Sequence, residues 1–272
     1  MVNGYAPASL KEALEIMSQQ QSIPYAGGTD LMVEDDSDRT FLFLNKLPEL
    51  RNIKSEDGYV KIGAACTFTE VLNSPLVAQV MKDAVKEIAA PAIKNLGTMG
   101  GNIGNGSAKA DTVVVHFATD SKVKVASLRG ERVIDIDKFY LGRKKLDLAK
   151  DELIVEILMP EEGLENYYFE KVAERQALAI SRVSFAGIFN TENGCISNIS
   201  AAFGAVADKV LRFKSIEEML LGKTLEDARQ LKEEYVNAYS SAMELTRGRV
   251  SAQFRKDVCI NLLRDFLSKN GI

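Results

Sequence analysis

The sequence has no tryptophan, one histidine and three cysteines among its 272 residues. Cys66, Cys195 and Cys259 stand far apart, with no CxxC and no HExxH. Zinc sites, iron–sulfur cradles and haem attachment therefore lack their local signatures, and no metal site is expected. Three dispersed cysteines do not make a disulfide framework, which suits a reducing compartment. No apolar run approaches the roughly 20 residues needed to cross a bilayer, so no membrane span is expected. The opening Met1-Val2-Asn3-Gly4-Tyr5 has neither the basic nor the apolar region of a secretion signal, so the expected location is cytoplasmic. Positive charge is not in excess either: 38 acidic against 34 basic residues give a net charge of −4. That argues against nucleic acid or an anionic membrane as a partner. The chain's own side chains thus offer little redox or metal chemistry, and no catalytic residue is assigned.

What is present is a core-forming composition, 46% hydrophobic. At about 150 residues per domain the length fits one large domain or two ordinary ones. Ser9-Leu10-Lys11-Glu12 has capping-box spacing, and Leu10, Ala13, Leu14 and Met17 share a helical face. Ile23-Pro24-Tyr25-Ala26 reads as a strand, followed by a helix starting near Asp30 or Leu31. The acidic run Glu34-Asp35-Asp36 and Asp38 reads as an exposed loop. Thr67-Phe68-Thr69-Glu70 repeats the capping-box spacing, and Leu76, Val80, Met81, Ala84, Val85 and Ile88 form an amphipathic stripe up to Pro91. Residues 153–159 read as a strand closed by Pro160, and Pro160-Glu161-Glu162-Gly163 marks a boundary. Beyond it, two apolar runs flank Thr191-Glu192-Asn193-Gly194, a hairpin signal, and helical patterns follow.

Two glycine-rich segments stand out. Ala26-Gly27-Gly28-Thr29-Asp30-Leu31 lies between a strand and an expected helix. Glycine permits positive φ and close approach of backbone to an anion, and successive N–H groups in such a turn form an anion nest. Two adjacent glycines are nevertheless common in ordinary turns. The second segment, residues 97–106, holds five glycines, with Thr98, Asn102, Asn105 and nearby Ser107 as polar groups. Leu96, Met99 and Ile103 interleave apolar anchors, unlike a solvated linker. Asp111 follows, able to accept bonds from ribose hydroxyls or to cap a helix over residues 112–117. Neither a P-loop nor a strand–GxGxxG–helix fingerprint is present. A phosphate ligand would need both segments to converge, as a large dinucleotide such as FAD requires.

The two motifs, Ala26-Gly27-Gly28-Thr29-Asp30-Leu31 and Thr98-Met99-Gly100-Gly101-Asn102-Ile103, resemble the paired FAD-diphosphate motifs of the FAD-binding subunits of molybdenum hydroxylases. That family includes xanthine, carbon monoxide and nicotinate dehydrogenases. The approach Pro91-Ala92-Ile93-Lys94-Asn95-Leu96-Gly97, the stretch from Asp151 to Pro160, and Lys171 followed by Ala179-Ile180-Ser181-Arg182-Val183-Ser184 match as well. The resemblance covers nearly the whole chain in order and spacing. It implies an α+β fold: a two-lobed FAD-binding domain of the PCMH/VAO type over residues 1–160, its lobes divided near residues 52–58. A small C-terminal α+β domain, an antiparallel sheet plus helices, would cover residues 161–272. It further implies that Ala26, Gly27, Gly28, Thr29, Asp30 and Leu31, with Thr98, Gly100, Gly101 and Asn102, hold the diphosphate. Asp111 would sit on the ribitol or ribose side, and Ile154 and Lys171 near the isoalloxazine ring. There the lysine would stabilise negative charge on the reduced flavin. Ile88 or Ala89 falls where the family often has an aromatic residue, and Lys94 where it has arginine.

The function implied is that of the flavoprotein component of a hetero-oligomeric oxidoreductase. Substrate would be hydroxylated on a large molybdopterin-containing subunit. Electrons would reach this FAD through a small [2Fe–2S] subunit and leave to NAD⁺ or another acceptor. The alternatives are a stand-alone flavin reductase or oxidase of the same fold, or a flavin-free bridging subunit. His116 reads as a packed residue rather than a base, Cys66 as a small core residue, and Arg143, Lys144 and Lys145 as a solvated basic face or partner contact.

Overall fold

Ser9 caps the first helix, Leu10–Gln19, by accepting the Glu12 N–H through its hydroxyl. Glu12 returns the bond one residue earlier than a strict capping box, to the Ala8 N–H at 2.7 Å. The computed structural model describes residues 3–33 and 39–272, so the acidic run 34–38 lies outside it. The chain folds as two units. One comprises Met1–Val77, Ala89–Ser107 and Asp120–Glu161; the other comprises Ala78–Ile88, Ala108–Thr119 and Glu162–Ile272.

The first unit contains two sheets. A parallel one has the order Asn3–Tyr5, Thr40–Phe43, Ile23–Tyr25. An antiparallel one has the order Ile53–Glu56, Tyr59–Gly63, Leu153–Pro160, Lys122–Ser127, Gly130–Asp135. Ala13, Leu14 and Met17 from the first helix pack into a core with Leu42, Leu44, Leu47, Leu50, Leu153 and Val155. Burial of these apolar faces is the main stabilising contribution, about 25 cal/mol per Å². Both glycine segments leave this framework: the first follows the strand Ile23–Tyr25, and the second packs on residues 64–66, just past the strand Tyr59–Gly63.

The second unit is built on a four-stranded antiparallel sheet, Tyr167–Val172, Val183–Glu192, Cys195–Gly204, Leu211–Arg212. Asn193 and Gly194 turn its central hairpin with φ of 51° and 80°, as a two-residue primed turn needs. The helices Leu225–Ala242 and Ala252–Lys269 bury Tyr235, Tyr239 and Phe266 in a core with Phe185 and Phe203. Two helices from earlier in the chain, Gln79–Lys86 and Asp111–Ala118, belong to this unit as well.

Two local expectations need adjustment. The stripe over residues 76–88 forms a helix only at Gln79–Lys86; Leu76 lies outside it and is 41% exposed. The expected helix after Asp30 is, within the described residues, a single 3₁₀ turn, Leu31–Val33. Within the glycine-rich stretch 97–106, Met99–Gly104 is helical. Thr98 caps that turn, and Met99, Gly100 and Ile103 are buried, so packing overrides the low helix propensity of glycine.

Candidate functional site

The two glycine segments meet through their backbones. A Cβ on Gly27 would lie 1.9 Å from the Leu96 carbonyl oxygen and 3.1 Å from Gly97 Cα, so only glycine fits. Gly28 takes a φ of +68°, and a Cβ there would enter the Tyr25 ring. Ala26, Gly27, Gly28, Thr29 and Leu31 are half-buried, and Asp30 is exposed. Within this loop Met32 N–H donates to Gly28 O and Val33 N–H to Asp30 O. The N–H groups of Gly27, Gly28, Thr29 and Asp30 find no acceptor among the described residues.

The second segment is differently employed. Met99 N–H donates to Cys66 O at 3.0 Å and Gly100 N–H to Ala64 O at 2.8 Å. Gly101 N–H donates to the Thr98 hydroxyl oxygen at 3.1 Å, and Asn102 N–H to Thr98 O at 2.9 Å. Thr98 is buried, whereas Gly101 is exposed and Asn102 half-buried. The buried Tyr140 hydroxyl fixes the other end of this turn by donating to Ile103 O at 2.9 Å. Ile154 adjoins it too, its Cδ1 3.4 Å from where a Gly104 Cβ would stand. Ala89, in the turn before Pro91–Lys94, is half-buried and holds a left-handed φ of 42°.

In the second unit, Asp111 is the first residue of its helix and not its cap, which is Ala110. Its carboxylate is buried. One oxygen accepts from Lys171 Nζ at 2.8 Å and the other from the Ser181 hydroxyl at 2.5 Å. Lys171 also donates to Glu87 O at 2.8 Å, and Arg182 N–H closes the strand ends on Val172 O. Asp111 therefore grips both ends of the loop between Tyr167–Val172 and Val183–Glu192. Burial raises its carboxyl above the usual range, opposed by the Lys171 ammonium and the Ser181 hydroxyl. An open cleft of about 480 Å³ lies alongside, lined by Glu87, Phe169, Lys171 and Arg175 among others.

Sequence reasoning gives Tyr140 no role, marks Ser181 only as part of a family-like stretch and reads Lys144 as part of a basic face, because their partners Ile103, Asp111 and Asn105 come from distant parts of the chain. His116 is fully buried, and burial pushes its pKa down to about 3, so it is no base for a bound substrate. Burial pushes the Cys66 thiol up to about 11, as expected of a core residue. Among the described residues, no group of three His, Cys, Asp or Glu could hold a metal ion. No described helix is long and apolar enough to cross a membrane.

The donor set suits a diphosphate. One loop presents spare N–H groups, and a second is pressed against it through glycine. Apolar side chains stand in solvent on both segments: Met32 and Val33 after the first, Ile93 and Leu96 before the second. Such an arrangement can accept a phosphate-bridged ligand with apolar ends.

Residues 1–162 match the family model of the FAD binding domain in molybdopterin dehydrogenase, and residues 168–270 that of the CO dehydrogenase flavoprotein C-terminal domain. The chain belongs to the family of FAD-binding flavoprotein subunits of molybdenum-hydroxylase-type dehydrogenases, and FAD is that family's cofactor. It is 33% identical over 223 residues to the xanthine dehydrogenase FAD-binding subunit of Escherichia coli O157:H7, covering 78% of this chain and 76% of that one. It is 29% identical over 269 residues to the nicotinate dehydrogenase FAD-subunit of Eubacterium barkeri, covering 93% and 90%. Carbon monoxide dehydrogenase from Hydrogenophaga pseudoflava superposes with a TM-score of 0.89 at 26% identity, over 98% of this chain and 96% of that one. The α+β architecture expected from the motifs is that of these flavoproteins.

Proposed function

We propose that this chain is the electron-transfer flavoprotein of a molybdenum hydroxylase complex, with FAD held across the two glycine segments. The N–H groups of residues 27–30, which find no acceptor among the described residues, and the close approach of Gly27 to the Leu96–Gly97 backbone carry this reading. The bound FAD would take electrons from a [2Fe–2S] subunit, reduced in turn by a molybdopterin subunit, and pass them to NAD⁺ or another acceptor. Gly27, Gly28, Thr29 and Asp30 would supply backbone donors to the diphosphate. Gly100, Gly101 and Asn102 would form the wall against which it lies, and Thr98, the cap of that short helix, would hold the wall in place. Ala26 and Leu31 frame the first loop, and Ala89 leads into the second.

The resemblance assigns Ile154 and Lys171 to the flavin ring and Asp111 to the ribityl side, and these roles stay part of the proposal. In it, Asp111 also fixes where the Lys171 charge is held. Residues 1–160 would form the FAD-binding domain, with lobes parting near residues 52–58, and residues 161–272 the C-terminal domain. The complex would be cytoplasmic, consistent with three unpaired cysteines.

Expression of the chain with its partner subunits and anaerobic mixing with NADH tests the reading. Yellow protein with stoichiometric FAD, bleached by NADH, is the expected result. Folded protein that binds no FAD would show a bridging subunit instead. Flavin left oxidised by NADH would exclude NAD as the acceptor.

A further inference from the structure

We propose that Lys144 is a phosphate-binding residue of the dinucleotide site, a cation supplied to the two glycine segments from a separate hairpin. The proposal rests on the reading that those segments hold the FAD diphosphate. Lys144 lies in the tight turn between the strands Tyr140–Gly142 and Lys145–Leu146. Its N–H donates to Gly106 O at 3.1 Å, which docks the turn on the end of the second segment. Its ammonium donates to Asn105 Oδ1, and Asp30 Oδ2 of the first segment is 4.0 Å away. One positive charge thus bridges both segments.

The charge has a chemical reason to be there. A diphosphate approaching the N–H groups of residues 27–30 meets the exposed Asp30 carboxylate, which repels it. Lys144 offsets that repulsion from within ion-pair distance. An ammonium has three donors, and Asn105 engages one of them, so further donors can turn to a phosphate oxygen. Its flexible stem allows the move from carboxylate to phosphate without a change of backbone. Both side chains are more than half exposed, 55% for Lys144 and 68% for Asp30. The ion pair therefore adds little to folding. The backbone points the same way. Lys144 has a φ of +54°, where glycine or asparagine fits more cheaply. Neither of those residues would bring a cation to the segments.

The test is titration of the apo-chain with FAD, followed by quenching of flavin fluorescence, for wild type, Lys144→Gln, Lys144→Glu and Gly27→Val. Riboflavin, which has no phosphate, serves as the comparison ligand. Lys144→Gln should weaken FAD by about five- to tenfold at low ionic strength, the scale of one charge-assisted contact. Lys144→Glu should weaken it further. Both differences should shrink as salt is added. Riboflavin affinity and melting temperature should stay at wild-type values. FAD affinity unchanged in both lysine variants, with Gly27→Val still impaired, overturns the role of Lys144 alone. Equal weakening of riboflavin also overturns it, since the lysine would then act through the fold. Full FAD affinity in Gly27→Val overturns the reading of the glycine segments themselves.

Discussion

In the second glycine segment the N–H groups of Met99, Gly100, Gly101 and Asn102 all donate within the chain, whereas in the first those of Gly27, Gly28, Thr29 and Asp30 find no acceptor among the described residues. Glycine density is the same signal in both, yet it has two causes. In the second, glycine lets a short helix lie flat on Ala64 and Cys66. In the first, it lets a loop turn at a φ of +68° and lie against the Leu96–Gly97 backbone. Polar groups already satisfied shape a site, and polar groups left over bind the ligand. Asp111 belongs with the satisfied groups: Lys171 and Ser181 take both its oxygens.

The largest expected effect separates these roles at Asp111. Replacing it with alanine leaves the Lys171 ammonium, 6% exposed, without its carboxylate. Losing one partner of such a buried pair typically costs about 3–5 kcal/mol. The melting temperature of the apo-protein, followed by far-ultraviolet circular dichroism, should fall by on the order of 10 °C. The double variant Asp111→Ala/Lys171→Met should regain most of that. An unchanged melting temperature with lost FAD affinity would move Asp111 to the other side of the comparison, as a group kept for the ligand.

Gly27→Val should cost somewhat less, and in affinity. Its side chain must displace the Leu96 carbonyl, which separates the two segments. FAD affinity should drop on the order of 100-fold, about 2.7 kcal/mol. Amide hydrogen exchange sharpens the point in the wild-type protein. The N–H groups of residues 27–30 should exchange quickly without FAD and slowly with it. Those of residues 99–102 should be protected in both states. Slow exchange at residues 27–30 without ligand would erase the contrast.

Much of this was legible in the sequence, and the exceptions have physical causes. The Ser9 and Thr67 helix starts and the Asn193-Gly194 hairpin are local patterns, readable at short range, while the pairing of the two glycine motifs came with the family resemblance. The state of the backbone donors was not readable, because it depends on where Ala64 and Cys66 lie in space. The same holds for Asp111: sequence offers a helix cap or a ribose acceptor, while its partners are 60 and 70 residues away. The allocation of Gln79–Lys86 and Asp111–Ala118 to the second unit was likewise hidden, since chain order carries no record of packing.

Thr98 provides the smallest effect and the finest cut. By resemblance its hydroxyl belongs to the diphosphate, yet its oxygen accepts the Gly101 N–H, and the residue is 4% exposed. If capping is its main task, Thr98→Ala should lower stability by about 1 kcal/mol. The melting temperature would then drop by roughly 2–4 °C. FAD affinity should stay within about threefold, less than one lost hydrogen bond to a charged group would take. Thr98→Ser, which keeps the capping oxygen, should restore the melting temperature. The opposite pattern, an unchanged melting temperature with a tenfold or greater loss of affinity, would show the hydroxyl proton spent on phosphate. The second segment would then bind as well as shape, and the difference between the two segments would lie in their backbones alone.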